Sequence, residues 1–394
     1  MALIEKISAE QIADSRNEPT IKVVVKTSDG ESAEASIPSG RSKGTHEALA
    51  LPAADAIANI DNVLDKKLHG VDVRDQREID TKMIGFDGTA NMSNLGANAI
   101  LGTSTAVLKS AAASQKMQIY RYVGDMIGRV KFTMPTPIFN VINGGKHAKN
   151  DLVFQEFSIV PVKFDKFSDK LEAGKKVFLE IGKLLDKQDI SYAYGDEGGY
   201  SPAGIKDHKA LDYLIDSIEN AGYKPGEDFM IALDIAATSI TDYDEAVDSY
   251  LKLIEKYPIM GLEDPFDEDS WHSWTELNIA IQNSNKKIIV VGDDIFATNL
   301  DRLQKGIETN AANAIIVKPN QCGTISEVLS VVMMAKENDY QIVVSHRSGE
   351  TPDAFIADLA VGVGAEFIKS GAPNENTPER MNKYLRLARI EEEI

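Results

Sequence analysis

Six charged or titratable residues each close a short apolar run between residues 229 and 369. Phe229-Met-Ile-Ala-Leu ends in Asp234, Met260-Gly-Leu in Glu263, and Ile288-Ile-Val-Val-Gly in Asp293. Ala314-Ile-Ile-Val then ends in Lys318, Gln341-Ile-Val-Val-Ser in His346, and Glu366-Phe-Ile in Lys369. Brought to one place, three carboxylates and two ammonium groups would have no stabilising purpose, because like charges repel and lose hydration on burial. The group makes sense if a divalent cation sits among the carboxylates and an anion bridges it to the cationic residues.

The elements that must position them follow from the spacing. The six residues lie 23 to 30 residues apart, which accommodates a buried strand, a covering helix and two short loops. Continuous apolar runs alternating with helix-length segments predict parallel strands covered by helices. If that sheet closes into a barrel, all six strand ends share the rim where barrel enzymes place their chemistry.

Upstream the pattern differs. Residues 9–37 read as two or three curled strands, with Ser28-Asp-Gly as a turn. Pro38 to Gly44 reads as a loop, and Ala53–Leu64, Asp75–Ile84 and the small-residue stretch Asn98–Lys116 as helices. Residues 1–130 thus form an α+β unit, with Pro135 and Pro137 marking the boundary to a second unit over 131–394. There, Phe139 to His147 is a strand ending in a loop with a histidine, and Phe154–Pro161 is a strand that carries Gln155 and Glu156. Asp165–Lys187 and Asp207–Ala221 read as helices, and Gly195-Asp-Glu-Gly-Gly199 as a tight turn, with calcium-like ligation as the lesser alternative.

Composition narrows the class. The chain has 394 residues, enough for a large barrel and one more domain, and a net charge of -19. That charge argues against nucleic acid and against an anionic membrane surface. No window approaches a membrane span, so no membrane insertion is expected. Cys322 is the only cysteine, which excludes an intrachain disulfide and favours a reducing, cytoplasmic location.

Taken in order, these segments resemble the enolase (phosphopyruvate hydratase) family along nearly the whole chain. They include Pro38-Ser-Gly-x-Ser-x-Gly44, Leu95-Gly-Ala-Asn-Ala-Ile-Leu-Gly102, Asn140-Val-Ile-Asn-Gly-Gly-x-His-Ala148, Gln155-Glu-Phe and Gly195-Asp-Glu-Gly-Gly199. Glu263-Asp-Pro-Phe, Gly292-Asp-Asp, Lys318-x-Asn-Gln-x-Gly-Thr324, Ser345-His-Arg-Ser-Gly-Glu-Thr351 and Ile368-Lys-x-Gly-Ala-Pro373 complete the series.

The resemblance implies a small α+β cap followed by an eight-stranded α/β barrel of TIM-like, enolase type, with its first strands atypically paired. It implies reversible dehydration of 2-phosphoglycerate to phosphoenolpyruvate in glycolysis, with a lysine base and magnesium stabilising an ene-diolate. By motif position Lys318 is the base, its pKa lowered by surrounding cations. Glu197 is the acid assisting loss of the C3 hydroxyl, with Glu156 beside it. Asp234, Glu263 and Asp293 hold the first magnesium, with Asp294 left open as the ligand in place of Asp293. A second magnesium, bound with substrate, joins Ser42 and the phosphate. Arg347 and Ser348 bind the phosphate, Lys369 faces the carboxylate, and His147 and His346 line the pocket. The family is dimeric or octameric, so a homo-oligomer is expected.

The chain departs from the family pattern at Arg41 and Lys43 in the first loop and at Lys146 and Lys149 around His147. Pro319 after the base keeps Lys318 extended. A related lyase or racemase acting on another carboxylate is the competing enzyme reading. The Ser345-His-Arg-Ser run and the Ser42 loop speak against it, since both serve a phosphate. A non-enzymatic binding scaffold is the third reading, and retention of every expected catalytic side chain opposes it.

Overall fold

The computed structural model describes residues 1–40, 44–240, 246–284 and 286–394. β1 (Ile4–Ala13), β2 (Pro19–Thr27) and β3 (Ser32–Ser36) form an antiparallel three-stranded sheet. β2 alternates as a half-buried strand should, with Ile21, Val23 and Val25 buried and Lys22, Val24 and Lys26 more open. β1 begins at Ile4, ahead of the expected start at Ala9. Only Ile4 and Ile7 of this strand are buried, so its own sequence gives little period-2 signal. Pairing along the whole of β2, from Ile4 opposite Thr27 to Ala13 opposite Pro19, defines it instead. Helix Ala97–Ser114 lies against β2 and β3. Gly102 permits that approach, because a Cβ there would collide with Val23.

The second unit is a closed barrel. β4 (Thr136–Asn143), β5 (Glu156–Pro161), β8 (Phe229–Asp234), β9 (Ile259–Glu263), β10 (Ile289–Gly292), β11 (Ala314–Val317), β12 (Gln341–Ser345) and β13 (Phe367–Lys369) follow one another round it, and β13 pairs back onto β4. A hairpin of β6 (Tyr192–Tyr194) and β7 (Tyr200–Pro202) is attached to β4. β5 runs antiparallel to β4 and β8, and the remaining barrel pairs are parallel. The atypical pairing of the first strands is therefore present.

The continuous apolar runs follow from burial on both faces. Ile138, Val160, Ala232, Ile289, Val291, Ala314, Ile316 and Val343 form a separate cluster that fills the barrel. Ile231, Leu233, Ile315, Val317, Ile342 and Val344 alternate with them along the strands and join the main core under the helices.

Contacts at several points seat the first unit on the barrel. Ser39 and Gly349 exchange backbone hydrogen bonds of 2.8 Å in both directions. Lys109 Nζ pairs with Asp353 Oδ2 at 2.6 Å, and Asp353 accepts the Ser36 N–H at 2.9 Å. Ser15 N–H donates to the Glu350 carbonyl at 2.8 Å. Helix Ile119–Met126, the hairpin β6–β7 and helix Pro378–Glu391 have no counterpart in the sequence expectations. Among the described residues, no helix is long and apolar enough to cross a membrane.

Candidate active site at the barrel mouth

The C-terminal ends of the parallel strands place the six residues on one rim. Asp234, Glu263 and Lys369 are the last residues of β8, β9 and β13, and Asp293, Lys318 and His346 directly follow β10, β11 and β12. Because β5 is reversed, its first residue, Glu156, joins the same rim, directly opposite Asp234. Asp234 in turn stands opposite Glu263. Reversing one strand thus adds a fourth carboxylate to the mouth.

Lys369 is the centre of one half. Its Nζ lies 2.7 Å from Glu263 Oε2, 2.8 Å from Glu156 Oε2 and 4.0 Å from Asp234 Oδ2, with all four groups buried. Burial opposes the ammonium charge, and the charges of Glu156, Glu263 and Asp234 outweigh it and hold Lys369 well above its ordinary range. Asp234 is pushed well up by burial and by the charges of Glu263 and Glu156. Gln155 Nε2 donates to Asp234 Oδ2 at 3.1 Å.

The other half is built on Asp293. Lys318 Nζ donates to Asp293 Oδ2, and Gln321 Nε2 to Asp293 Oδ1 at 2.9 Å. Lys318 has an extended backbone (φ -121, ψ 108), as Pro319 requires. Burial lowers the Lys318 pKa, yet the neighbouring Asp293 charge more than reverses this and raises it. Arg347 and Lys369 lower it, as expected of surrounding cations, but the contact with Asp293 outweighs them. Asp293 is buried too, and Lys318 holds its carboxyl below the usual range.

Asp264 supports this half from beneath, accepting the N–H groups of Asp293 at 2.9 Å and Asp294 at 2.8 Å. Asp294 differs from Asp293 in lacking the lysine contact, and burial and the Asp293 charge push it up to about 7.

Hard oxygen donors on three adjacent strand ends fit a magnesium-sized dication. Glu263 Oε1 is buried and meets no hydrogen-bond donor among the described residues, which is the state of a ligand oxygen that an ion would complete. Among the described residues the carboxylates that gather within 4.8 Å of one another at this end are those of Asp264, Asp293 and Asp294, not the expected set of Asp234, Glu263 and Asp293, and Asp264 already holds two backbone N–H groups.

Glu197 lies beside Glu156, the two sharing His147 as a neighbour within 4.8 Å. Glu197 sits in the turn between β6 and β7, where Gly198 adopts a φ of 81°. Asn140 Nδ2 donates to Glu197 Oε2 at 2.8 Å, and His346 Nε2 is 3.4 Å from the same oxygen. His147 is buried, with Nδ1 3.5 Å from Glu197 Oε1 and 4.0 Å from Glu156 Oε1. A histidine expected on a flexible loop is therefore packed between the two glutamates. Burial pushes His147 and His346 each down to about 4.

The two glutamates are driven apart. Burial, with the Glu197 and Glu263 charges outweighing part of the Lys369 attraction, pushes Glu156 up to about 8. Glu197 is equally buried, but His346 and His147 hold it well below its ordinary range. The pair therefore keeps one proton at neutral pH, resting on Glu156 and leaving Glu197 ionised. The resemblance names Glu197 as the acid with Glu156 beside it, and the environment here favours the proton on Glu156.

Arg347 and Ser348, the residues expected at a phosphate, follow His346 just beyond β12. Arg347 makes a two-pronged ion pair with Glu47, Nη1 to Oε2 at 2.9 Å and Nη2 to Oε1 at 3.1 Å, and Nη1 donates to Asn320 Oδ1 at 3.0 Å. Gly40 leaves the room for it, since a Cβ there would collide with the guanidinium. Ser348 is buried and accepts from Arg16 Nη1 at 3.3 Å. Ser42, Arg41 and Lys43 lie outside the described residues.

Gln155, Asn140, Asp264, Gln321, Glu47 and Arg380 escaped sequence reasoning as parts of the site. Asp264 and Gln321 lie within quoted motifs, next to or near a strand end, and that adjacency was a usable signal. Arg380 had none, because a basic residue on a helix reads as a solvated face.

The fold and its mouth define an α/β-barrel enzyme in which carboxylates and lysines converge on a metal-competent site. The family model described as "Enolase, N-terminal domain" matches residues 4–123, and "Enolase, C-terminal TIM barrel domain" matches 131–245 and 237–394. Proteins named Enolase are similar over their whole lengths. That of Methanosarcina acetivorans is 45% identical over 416 residues, covering 99% of this chain and 94% of the relative. That of Methanopyrus kandleri is 42% identical over 420 residues, covering 100% and 96%. That of Methanosarcina mazei is 45% identical, covering 99% and 95%. The chain belongs to the enolase family, a family of hydro-lyases.

Proposed function

We propose that this protein catalyses the reversible, magnesium-dependent dehydration of 2-phosphoglycerate to phosphoenolpyruvate in glycolysis and gluconeogenesis. The observation that carries the reading is the division of one mouth into two faces. Lys318 and Asp293 stand on one side, the Glu156–Glu197 pair with two histidines on the other, and Lys369 lies among the carboxylates. A substrate between the faces meets a base on one side and a proton donor on the other.

Asp234, Glu263 and Asp293 would hold the first magnesium, which when bound supplies positive charge to a substrate carboxylate that gains charge as C2 loses its proton. Ser42 would serve the second. Lys318 takes the C2 proton, for which it must be neutral. Asp293 pairs with Lys318 and raises its pKa, so the lysine can take the C2 proton only when that hold on its charge is relieved. Lys369 stabilises the developing dianion. The Glu156–Glu197 pair delivers its one proton to the departing C3 hydroxyl, with His147 and His346 fixing its position. Arg347 and Ser348 bind the phosphate, the arginine through its planar fork.

Residues 1–130 serve as a cap and 131–394 as the catalytic unit of a cytoplasmic homo-oligomer, dimer or octamer. The test is the absorbance of phosphoenolpyruvate after adding 2-phosphoglycerate. Growth with magnesium that EDTA abolishes supports the reading, and no growth with magnesium overturns it.

A further inference from the structure

Arg380 lies on helix Pro378–Glu391, fully buried. Its nearest carboxylate in the described ion pairs is 3.9 Å away, Glu379 Oε1 to Nε. The guanidinium turns instead to a ring nitrogen and three carbonyls. Nη1 meets His346 Nδ1 at 2.5 Å and donates to the Arg347 carbonyl at 2.5 Å. Nη2 donates to the carbonyls of Ser348 at 2.7 Å and Asp196 at 3.0 Å. One side chain thus grips the anion-binding run and the turn that carries Glu197.

The chemistry of the first contact is one-directional. A guanidinium has only donors and stays protonated in proteins, so the ring nitrogen it meets must offer a lone pair. The single proton of a neutral His346 is then on Nε2, the atom 3.4 Å from Glu197 Oε2. A second proton would set N–H against N–H at Nδ1. We propose that Arg380 is a positioning residue that locks His346 in the neutral Nε2–H tautomer, so that this imidazole donates to Glu197 and cannot take its proton. With that route closed, the groups left to share a proton with Glu197 are those on its other side, Glu156 and His147, which lie within 4.8 Å of it and of each other. The lock refines the proposed function, and it rests on that reading only for the catalytic meaning of Glu197.

The test is nitrogen-15 NMR of the histidine rings in the full-length protein at neutral pH. The sequence has six histidines, and the His346→Gln spectrum identifies the ring that is lost. In the wild type, His346 is expected to carry its proton on Nε2 and none on Nδ1. Arg380→Met is expected to show mixed tautomers and a kcat reduced about 10- to 100-fold, the usual range for removing a partner that orients an imidazole. Arg380→Lys, which retains a donor, is expected to recover the single tautomer and part of kcat. A wild-type His346 protonated on Nδ1, or an unchanged Nε2–H tautomer in folded Arg380→Met, would overturn the proposal. Where Arg380→Met does not fold, the wild-type tautomer alone decides. If 2-phosphoglycerate is not turned over but His346 is the Nε2–H form, the proposed function fails and the lock stands; an active enzyme with Nδ1–H His346 gives the reverse.

Discussion

Lys369 Nζ lies 2.7 Å from Glu263 Oε2 at the barrel mouth, with both side chains buried. Among the described residues, this ammonium is the only lysine or arginine group that pairs with Glu156, Glu263 and Asp234. Replacing it by methionine leaves Glu156, Glu263 and Asp234 buried without the cation they share. Lys369→Met is expected to cost about 3–5 kcal/mol in urea unfolding, the usual effect of removing one member of a buried pair. Added magnesium should recover part of that loss, because an ion bound to the native carboxylates stabilises the folded state. A loss below about 1 kcal/mol, or no response to magnesium, would contradict the pairing.

Asp264 is the least conspicuous support of the site. Its two oxygens hold the N–H groups of Asp293 and Asp294. Asp264→Ala is expected to weaken magnesium binding by roughly 10- to 100-fold, the range found for partners that orient a ligand. Calorimetric titration of the ligand-free protein with magnesium would show it. Equal affinities would remove Asp264 from the site.

Much of this was legible in the sequence because strand ends are marked twice, by the apolar run and by the charge that closes it. Asp234, Glu263, Asp293, Lys318, His346 and Lys369 all fell where the period placed them. What escaped were relationships made by topology. Reversal of β5 puts Glu156 opposite Asp234, and no local signal announces a strand direction. Arg380 reaches His346 from a helix beyond the last barrel strand. The contact that raises Lys318 is not legible in the sequence, because residue types give neighbours, whereas a pKa depends on which neighbour is in contact.

Glu156 gives the stability a pH dependence. Its folded pKa, pushed up to about 8, exceeds the ordinary carboxylate value, so between those values the native state binds more protons than the unfolded chain. In the EDTA-treated protein Glu156 therefore contributes a stability that declines as pH rises from about 4.5 to 8, against the opposite contribution below about 6.5 of His147 and His346, each pushed down to about 4. Glu156→Gln removes only the Glu156 contribution, so its urea midpoint should gain on that of the wild type across the interval. A steeper fall in the variant than in the wild type would contradict the assignment of the proton to Glu156.

The division of labour across the mouth is tested most directly by following exchange of the C2 proton of 2-phosphoglycerate with deuterium from solvent, in the presence of magnesium. Lys318→Ala is expected to lose exchange and net dehydration together, by on the order of 10²- to 10⁴-fold. Glu197→Gln is expected to lose dehydration while still exchanging the C2 proton, because its role comes at the C3 hydroxyl. Exchange at the wild-type rate in Lys318→Ala would contradict the placement of the base on that strand end.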